Sequence, residues 1–207
     1  MKTILVYGDS NTWGQTGWPF NGEPRLAYNQ RWTGQIARQL GDEAKIIEER
    51  LGGRTAGDIQ EGDAEYRNGQ VHFKAAFRSH EPIDVLVVAL GTNDCQVRYS
   101  RTAEQIYEDL SFYQQDAGEL HLKEYKMPKV VFVVPPPFNA EPDNAYFLNR
   151  EHVRNELARL MTVSKDMDVI DAGDVSLASD GVHFSAEGHK QMADAVVNKL
   201  KEIGYEI

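Results

Sequence analysis

Short, unbroken apolar runs recur along this chain with helical patterns between them. The runs are Thr3–Tyr7, Ala44–Ile47, Val85–Leu90, Lys129–Val134 and Val169–Asp171. Continuous rather than alternating runs predict strands buried on both faces, as in a parallel sheet. Between them, apolar residues at helical spacing predict helices at Arg31–Leu40, Ala103–Leu122, Asp143–Ser164 and Ser185–Ile203. In the last of these Ser185 is placed as an N-cap, Gly188 falls in the first turn, and Met192, Val196, Val197 and Leu200 make the apolar stripe. Strand alternating with helix predicts an α/β fold in three layers, doubly wound, with right-handed crossovers. Five strands favour the flavodoxin-like order 2-1-3-4-5.

Length and composition narrow the class. The 207 residues suit a single domain, 1–207, and show no internal repeat, low-complexity tract or linker. Apolar residues at 41% are enough for a real core, which excludes a disordered chain. The formal charge of −10 repels phosphate backbones, so neither nucleic acid nor an anionic membrane is expected as a partner. No apolar stretch approaches the roughly 20 residues of a membrane span. Thr3–Tyr7 is too short for a secretory segment, which needs roughly 7–15 apolar residues. The lone cysteine, Cys95, allows no internal disulfide and fits a reducing compartment. A soluble, cytoplasmic protein is the expectation.

Two loops rich in Gly, Pro and aromatics follow strand ends, at Gly14–Gln30 and Pro135–Asn144. Open α/β sheets bind ligands at that edge. Trp13, Trp18, Phe20 and Phe138 in and beside these loops are candidates for an apolar or sugar-stacking wall, with loop packing as the plainer alternative.

Four blocks carry chemistry. Gly8-Asp9-Ser10-Asn11-Thr12-Trp13-Gly14 follows the first strand, so Ser10 falls at a strand-to-helix junction where backbone N–H groups and the helix dipole favour negative charge. The alternative is that Asp9 or Ser10 simply caps a helix. Gly8 and Gly14 lack the spacing of a dinucleotide loop, and the G-x-S-x-G elbow is missing. Leu51-Gly52-Gly53-Arg54-Thr55 follows the second strand, and a glycine pair there can turn a backbone N–H into a cleft. Leu90-Gly91-Thr92-Asn93-Asp94 follows the third; Asn93 offers a neutral amide donor, while Asp94 reads as the cap of the next helix. Asp180-Gly181-Val182-His183 follows the fifth, and an Asp three residues before a His can orient its imidazole. In a parallel sheet all four points share one edge. Together they supply a nucleophile, a base, an orienting acid and oxyanion donors, as acyl transfer requires.

In this order, Gly-Asp-Ser-x-Thr, a glycine block, Gly-x-Asn-Asp and Asp-x-x-His resemble the SGNH hydrolases, also called GDSL esterases. The blocks span residues 8 to 183, nearly the whole chain. The resemblance implies Ser10 as nucleophile, His183 as base and Asp180 as its partner. It also implies an oxyanion hole from the Ser10 and Gly53 backbone N–H groups and the Asn93 side chain, with Gly52 the alternative to Gly53. Asn11 stands where members often carry an apolar residue, which is expected to tune the pocket rather than the reaction. The motifs look closest to the arylesterase and acyltransferase branch, whose members act on short acyl groups and often oligomerise. A serine esterase acting on a small-molecule ester, acetylated carbohydrate included, without metal or organic cofactor, is thus the leading expectation, with a homo-oligomer as a further one. A thioesterase or lysophospholipase of the same family, a non-catalytic flavodoxin-like binding module, and thiol chemistry at Cys95 are its rivals.

Overall fold

The computed structural model describes residues 1–20, 22–57, 59, 65–139 and 145–205. Five strands, β1 (Lys2–Gly8), β2 (Ala44–Arg50), β3 (Val85–Ala89), β4 (Lys129–Val133) and β5 (Asp168–Ile170), form one parallel sheet in the order β2-β1-β3-β4-β5. The expected α/β fold and strand order are therefore observed. Among the described residues six α-helices connect or flank them: α1 (Ser10–Trp13), α2 (Trp32–Leu40), α3 (Gly69–His80), α4 (Ala103–Leu120), α5 (Glu151–Val163) and α6 (Ala186–Glu202).

The apolar runs explain the layering. Along β1, Ile4 and Val6 face one side and Leu5 and Tyr7 the other, and all four are fully buried. Ile4 and Val6 pack with Val85, Val87, Val131 and Val133 against Trp32 and Ile36 of α2 and Met192, Val196 and Leu200 of α6. Leu5 and Tyr7 pack with Leu86, Val88 and Phe132 against Phe73 and Phe77 of α3, Ile106 and Leu110 of α4 and Leu157 of α5. Each such side chain contributes roughly 1.5–3 kcal/mol by leaving water. Ser185 caps α6, accepting from the Gly188 N–H at 3.1 Å, as its sequence position predicts.

Three departures have local causes. Helix α3 carries no long apolar stripe; only Phe73 and Phe77, four residues apart, enter the core, while Val71 is exposed. Strand β2 runs three residues past its apolar segment because Glu48 finds partners in Arg31, Arg50 and Thr33. The helix expected over Asp143–Ser164 is shorter: a 3-10 turn at Ala145–Phe147 and a left-handed Asn149 (φ 58°) precede α5. Its first residues, Asp143 and Asn144, lie outside the described residues, as does part of the Pro135–Asn144 loop. Among the described residues no helix is long and apolar enough to cross a membrane.

Candidate active site

The site begins where β1 stops. A Cβ on Gly8 would sit 2.0 Å from Thr12 Oγ1 and 3.2 Å from the Ala89 carbonyl oxygen, so only glycine lets the first turn of α1 fold back onto the strand end. Asp9 caps that turn by accepting the Asn11 N–H on Oδ1 at 2.9 Å. The plainer reading of Asp9 as a cap is thus correct, and it coexists with chemistry at the next residue. Ser10 is the first helical residue, so its own N–H has no acceptor within the helix. Its hydroxyl Oγ lies 3.0 Å from His183 Nε2.

His183 is held by a tight turn after β5. The Ala178 N–H donates to the His183 carbonyl at 2.7 Å, and the Gly181 N–H to the Ala178 carbonyl at 3.0 Å. On the far side of the imidazole, Nδ1 lies 2.6 Å from Asp180 Oδ2. The structure therefore brings Asp180, His183 and Ser10 into one hydrogen-bonded chain. Asp180 receives these four donors: the Val182 and His183 N–H groups on Oδ1, each at 3.0 Å, and His183 Nδ1 and the Trp18 N–H on Oδ2, the latter at 2.8 Å. Burial alone raises a carboxyl pKa, but these bonds and the adjacent imidazole outweigh it and hold Asp180 near 2. It stays ionised at any working pH. His189 shows the contrast: fully buried, it accepts the Trp32 N–H on Nδ1, and burial with the nearby Arg31 and His183 charges pushes it down to about 4.

The glycine block forms a turn closed by the Arg54 N–H on the Leu51 carbonyl at 3.1 Å. Gly53, third in that turn, has φ 76°, the type II pattern that demands glycine there, whereas nothing crowds a Cβ at the exposed Gly52. Hydrogen bonds tie the block to the ends of β1 and β3. The Leu51 N–H donates to the Gly8 carbonyl at 3.1 Å, Arg54 Nη1 to the same carbonyl at 3.1 Å, and Asn93 Nδ2 to the Arg54 carbonyl at 3.0 Å. Asn93 Nδ2 also reaches Asp9 Oδ2 at 3.4 Å, while Gln96 Nε2 donates to Asn93 Oδ1 at 3.1 Å. Ser10, Gly53 and Asn93 therefore belong to one connected set of strand ends.

Several contributors escaped the sequence reading. Asp94 does not cap the next helix; Thr102 does that, with its hydroxyl on the Gln105 N–H. Asp94 is fully buried instead and accepts the Ala56 N–H with both oxygens at 3.0 and 2.9 Å, with Arg101 as its ion-pair partner at 3.1 Å. It moors the residue that follows the glycine block to the third block. Burial drives its pKa up to about 7 despite the Ala56 and Arg101 contacts. Asp9 is raised to about 6, again by burial, against the Asn11 N–H and the His183 and Arg54 charges. Arg54 is buried, its guanidinium 4.1 Å from the Tyr7 ring centre. Cys95 is fully buried and its Sγ faces the Gly91 carbonyl at 3.4 Å; burial pushes the thiol to about 12. A thiolate nucleophile at Cys95 is excluded by that setting. Among the described residues, no group of three His, Cys, Asp or Glu side chains is placed to hold a metal ion.

Comparison with known proteins agrees with this architecture. Est24, a carbohydrate acetylesterase from Sinorhizobium meliloti, superimposes with a TM-score of 0.86 at 30% identity, covering 98% of this chain and 100% of that one. The native aryl esterase of M. smegmatis matches with a TM-score of 0.86 at 30% identity over 98% and 99% of the two chains. A protein from Agrobacterium tumefaciens described as a putative arylesterase gives 0.83 at 29% identity, over 98% and 100%. Among curated protein sequences none matches significantly. The family model of GDSL-like lipases and acylhydrolases matches residues 6–191. A five-stranded 2-1-3-4-5 sheet with helices on both sides, esterase structures of the same shape and a family match over nearly the whole length converge: this chain is a carboxylic ester hydrolase and belongs to the GDSL-like lipase/acylhydrolase family.

Proposed function

We propose that the chain is a serine esterase that cleaves short-chain esters, acetyl or aryl esters and acetylated carbohydrate among them, through an acyl-enzyme on Ser10. The observation that carries this reading is the relay in which Asp180 Oδ2 meets His183 Nδ1 at 2.6 Å and His183 Nε2 meets Ser10 Oγ at 3.0 Å. His183 takes the hydroxyl proton as Ser10 Oγ attacks the carbonyl carbon, and returns it to the departing alkoxide so that alcohol leaves. Water then enters, gives its proton to His183, and releases the acid as Ser10 regains its hydrogen. Asp180, ionised throughout, keeps Nδ1–H pointing toward itself and stabilises the imidazolium.

The tetrahedral intermediate places negative charge on the former carbonyl oxygen. The Ser10 N–H, the Gly53 N–H and Asn93 Nδ2 are the donors assigned to it. Asn93 gives up its longer bond, the 3.4 Å contact with Asp9, and keeps the 3.0 Å bond to the Arg54 carbonyl that fixes the amide plane. Asn93→Ala is expected to lower kcat on p-nitrophenyl acetate about 10²–10³-fold with a small change in KM. An unchanged kcat would remove Asn93 from the oxyanion hole.

Est24, described as a carbohydrate acetylesterase, supports the short-acyl preference, and the M. smegmatis aryl esterase supports aryl esters as substrates. A series of p-nitrophenyl esters from acetate to decanoate, run beside acetylated sugars, tests it. Rates are expected to be highest for acetate to butyrate and to fall by octanoate. Rates that climb from butyrate to decanoate would favour a lysophospholipase-like activity instead.

A further inference from the structure

We infer that Asn11 is a positioning residue that holds the His183 segment in register with Ser10, an inference that rests on the serine-esterase reading. Asn11 follows Ser10 directly in α1 and is 6% exposed. Its amide lines a small cavity with Asp9, Thr12 and Phe184, and both of its polar atoms are bonded to backbone. Oδ1 accepts the Phe184 N–H at 2.9 Å, and Nδ2 donates to the Val182 carbonyl at 3.4 Å. Those two groups flank His183 on either side. One planar amide, attached next to the nucleophile, thus grips the backbone before and after the base across more than 170 residues of chain.

The chemistry of the grip is specific to an amide. Phe184 N–H needs an acceptor and the Val182 carbonyl needs a donor, and only a group that offers both from one plane serves them together. An apolar residue of similar volume fills the space and leaves both backbone groups unpaired in a buried setting. The Ser10–His183 distance of 3.0 Å then rests on the other anchors of the turn after β5. Other anchors of that turn, the Ala178 N–H on the His183 carbonyl, the Asn139 N–H on the Gly181 carbonyl at 2.8 Å and the Asp180 contacts, lie on the turn itself or on the Asn139 and Trp18 loops rather than on α1. Asn11 thus ties the base to the nucleophile's own helix.

The test compares Asn11→Leu and Asn11→Ala with wild type and with Thr102→Ala, which removes the cap of α4 away from the site. The readouts are the second-order rate of Ser10 labelling by a fluorophosphonate probe, kcat and KM on p-nitrophenyl acetate, and the melting temperature. Both Asn11 variants are expected to label Ser10 and turn over about 10–100-fold more slowly, the cost of a misplacement of order 1 Å, with KM within about twofold. Thr102→Ala is expected to lower the melting temperature and leave the labelling rate unchanged. Asn11 variants that melt earlier yet label at the wild-type rate would reduce the residue to a structural role and overturn the proposal. Should one Asn11 variant fail to fold, the other carries the same readout. Absence of labelling in wild type would overturn the serine reading itself, and the positioning role with it, a result distinct from fast labelling of the variants.

Discussion

Ser10→Ala is expected to abolish acyl-enzyme formation and to lower esterase turnover by about 10⁴–10⁶-fold, leaving only what binding and the oxyanion donors provide. The argument is geometric. Ser10 Oγ is the hydroxyl that His183 Nε2 reaches, at 3.0 Å, and it sits at the start of α1 where the helix N-terminus favours negative charge. Burial rules out two nearby groups as substitutes for it. Cys95 is sealed from solvent with its thiol pushed to about 12, and Thr12 is fully buried. Among the described residues Ser10 Oγ makes no other hydrogen bond, so alanine removes the nucleophile and little else. The measurement pairs p-nitrophenyl acetate hydrolysis with fluorophosphonate labelling detected by intact mass. Wild type is expected to gain the mass of one probe and Ser10→Ala none. A Ser10→Ala protein that hydrolyses at the wild-type rate, or gains the same label, would move the nucleophile elsewhere and return the motif to a capped turn.

Much of this arrangement was legible in the sequence because it depends on local patterns. Unbroken apolar runs marked β1, β3 and β4, since both faces of those strands are covered. The four blocks announced themselves because each follows a different strand, and a parallel sheet brings strand ends to one edge. What stayed hidden depends on partners distant in the chain. Glu48 to Arg50 extend β2 although they are charged, because Arg31 and Thr33 arrive from α2 to satisfy Glu48. Helix α3 escaped notice since two phenylalanines one turn apart are too little period to detect. Asp94 looked like a cap, as any Asp before a helix does, and its true acceptor role toward Ala56 needs the second block folded beside the third. Asn11 stood out in the sequence as a departure from the family motif, but its partners did not. Its amide is explained by the Val182 and Phe184 backbone, and no spacing rule connects those positions to residue 11. Local chemistry was readable; the bonds that brace it were not.

Asp180→Asn is the second large effect, expected at about 10⁴-fold in kcat with the fold retained. The reason lies in counting donors. Asp180 Oδ1 accepts two backbone N–H groups, from Val182 and His183, and Oδ2 accepts two more, from His183 Nδ1 and Trp18 N–H. A carboxylate can serve all four because both of its oxygens accept. An asparagine has one accepting oxygen and one NH₂. If its oxygen stays with the Val182 and His183 N–H groups, the NH₂ faces the Trp18 N–H and His183 Nδ1. Donor then meets donor at Trp18, and Nδ1 can accept only by moving its proton to Nε2. That tautomer cannot take the proton of Ser10. If the amide flips, the turn that carries His183 loses its acceptor instead. The same substitution changes the acid limb of stability. The folded-state pKa of Asp180 is lowered from 3.8 to about 2, so its stabilisation is complete above the ordinary carboxylate range and is lost as pH falls through about 2. The wild type is expected to lose stability between about pH 4 and 2 more steeply than Asp180→Asn, which has no such group to protonate. Urea unfolding followed across that range, beside kcat at neutral pH, reads both consequences. A variant with wild-type kcat would show that the imidazole needs no carboxylate for its orientation. Equal slopes in the acid range would show that Asp180 is not held ionised by the bonds it receives.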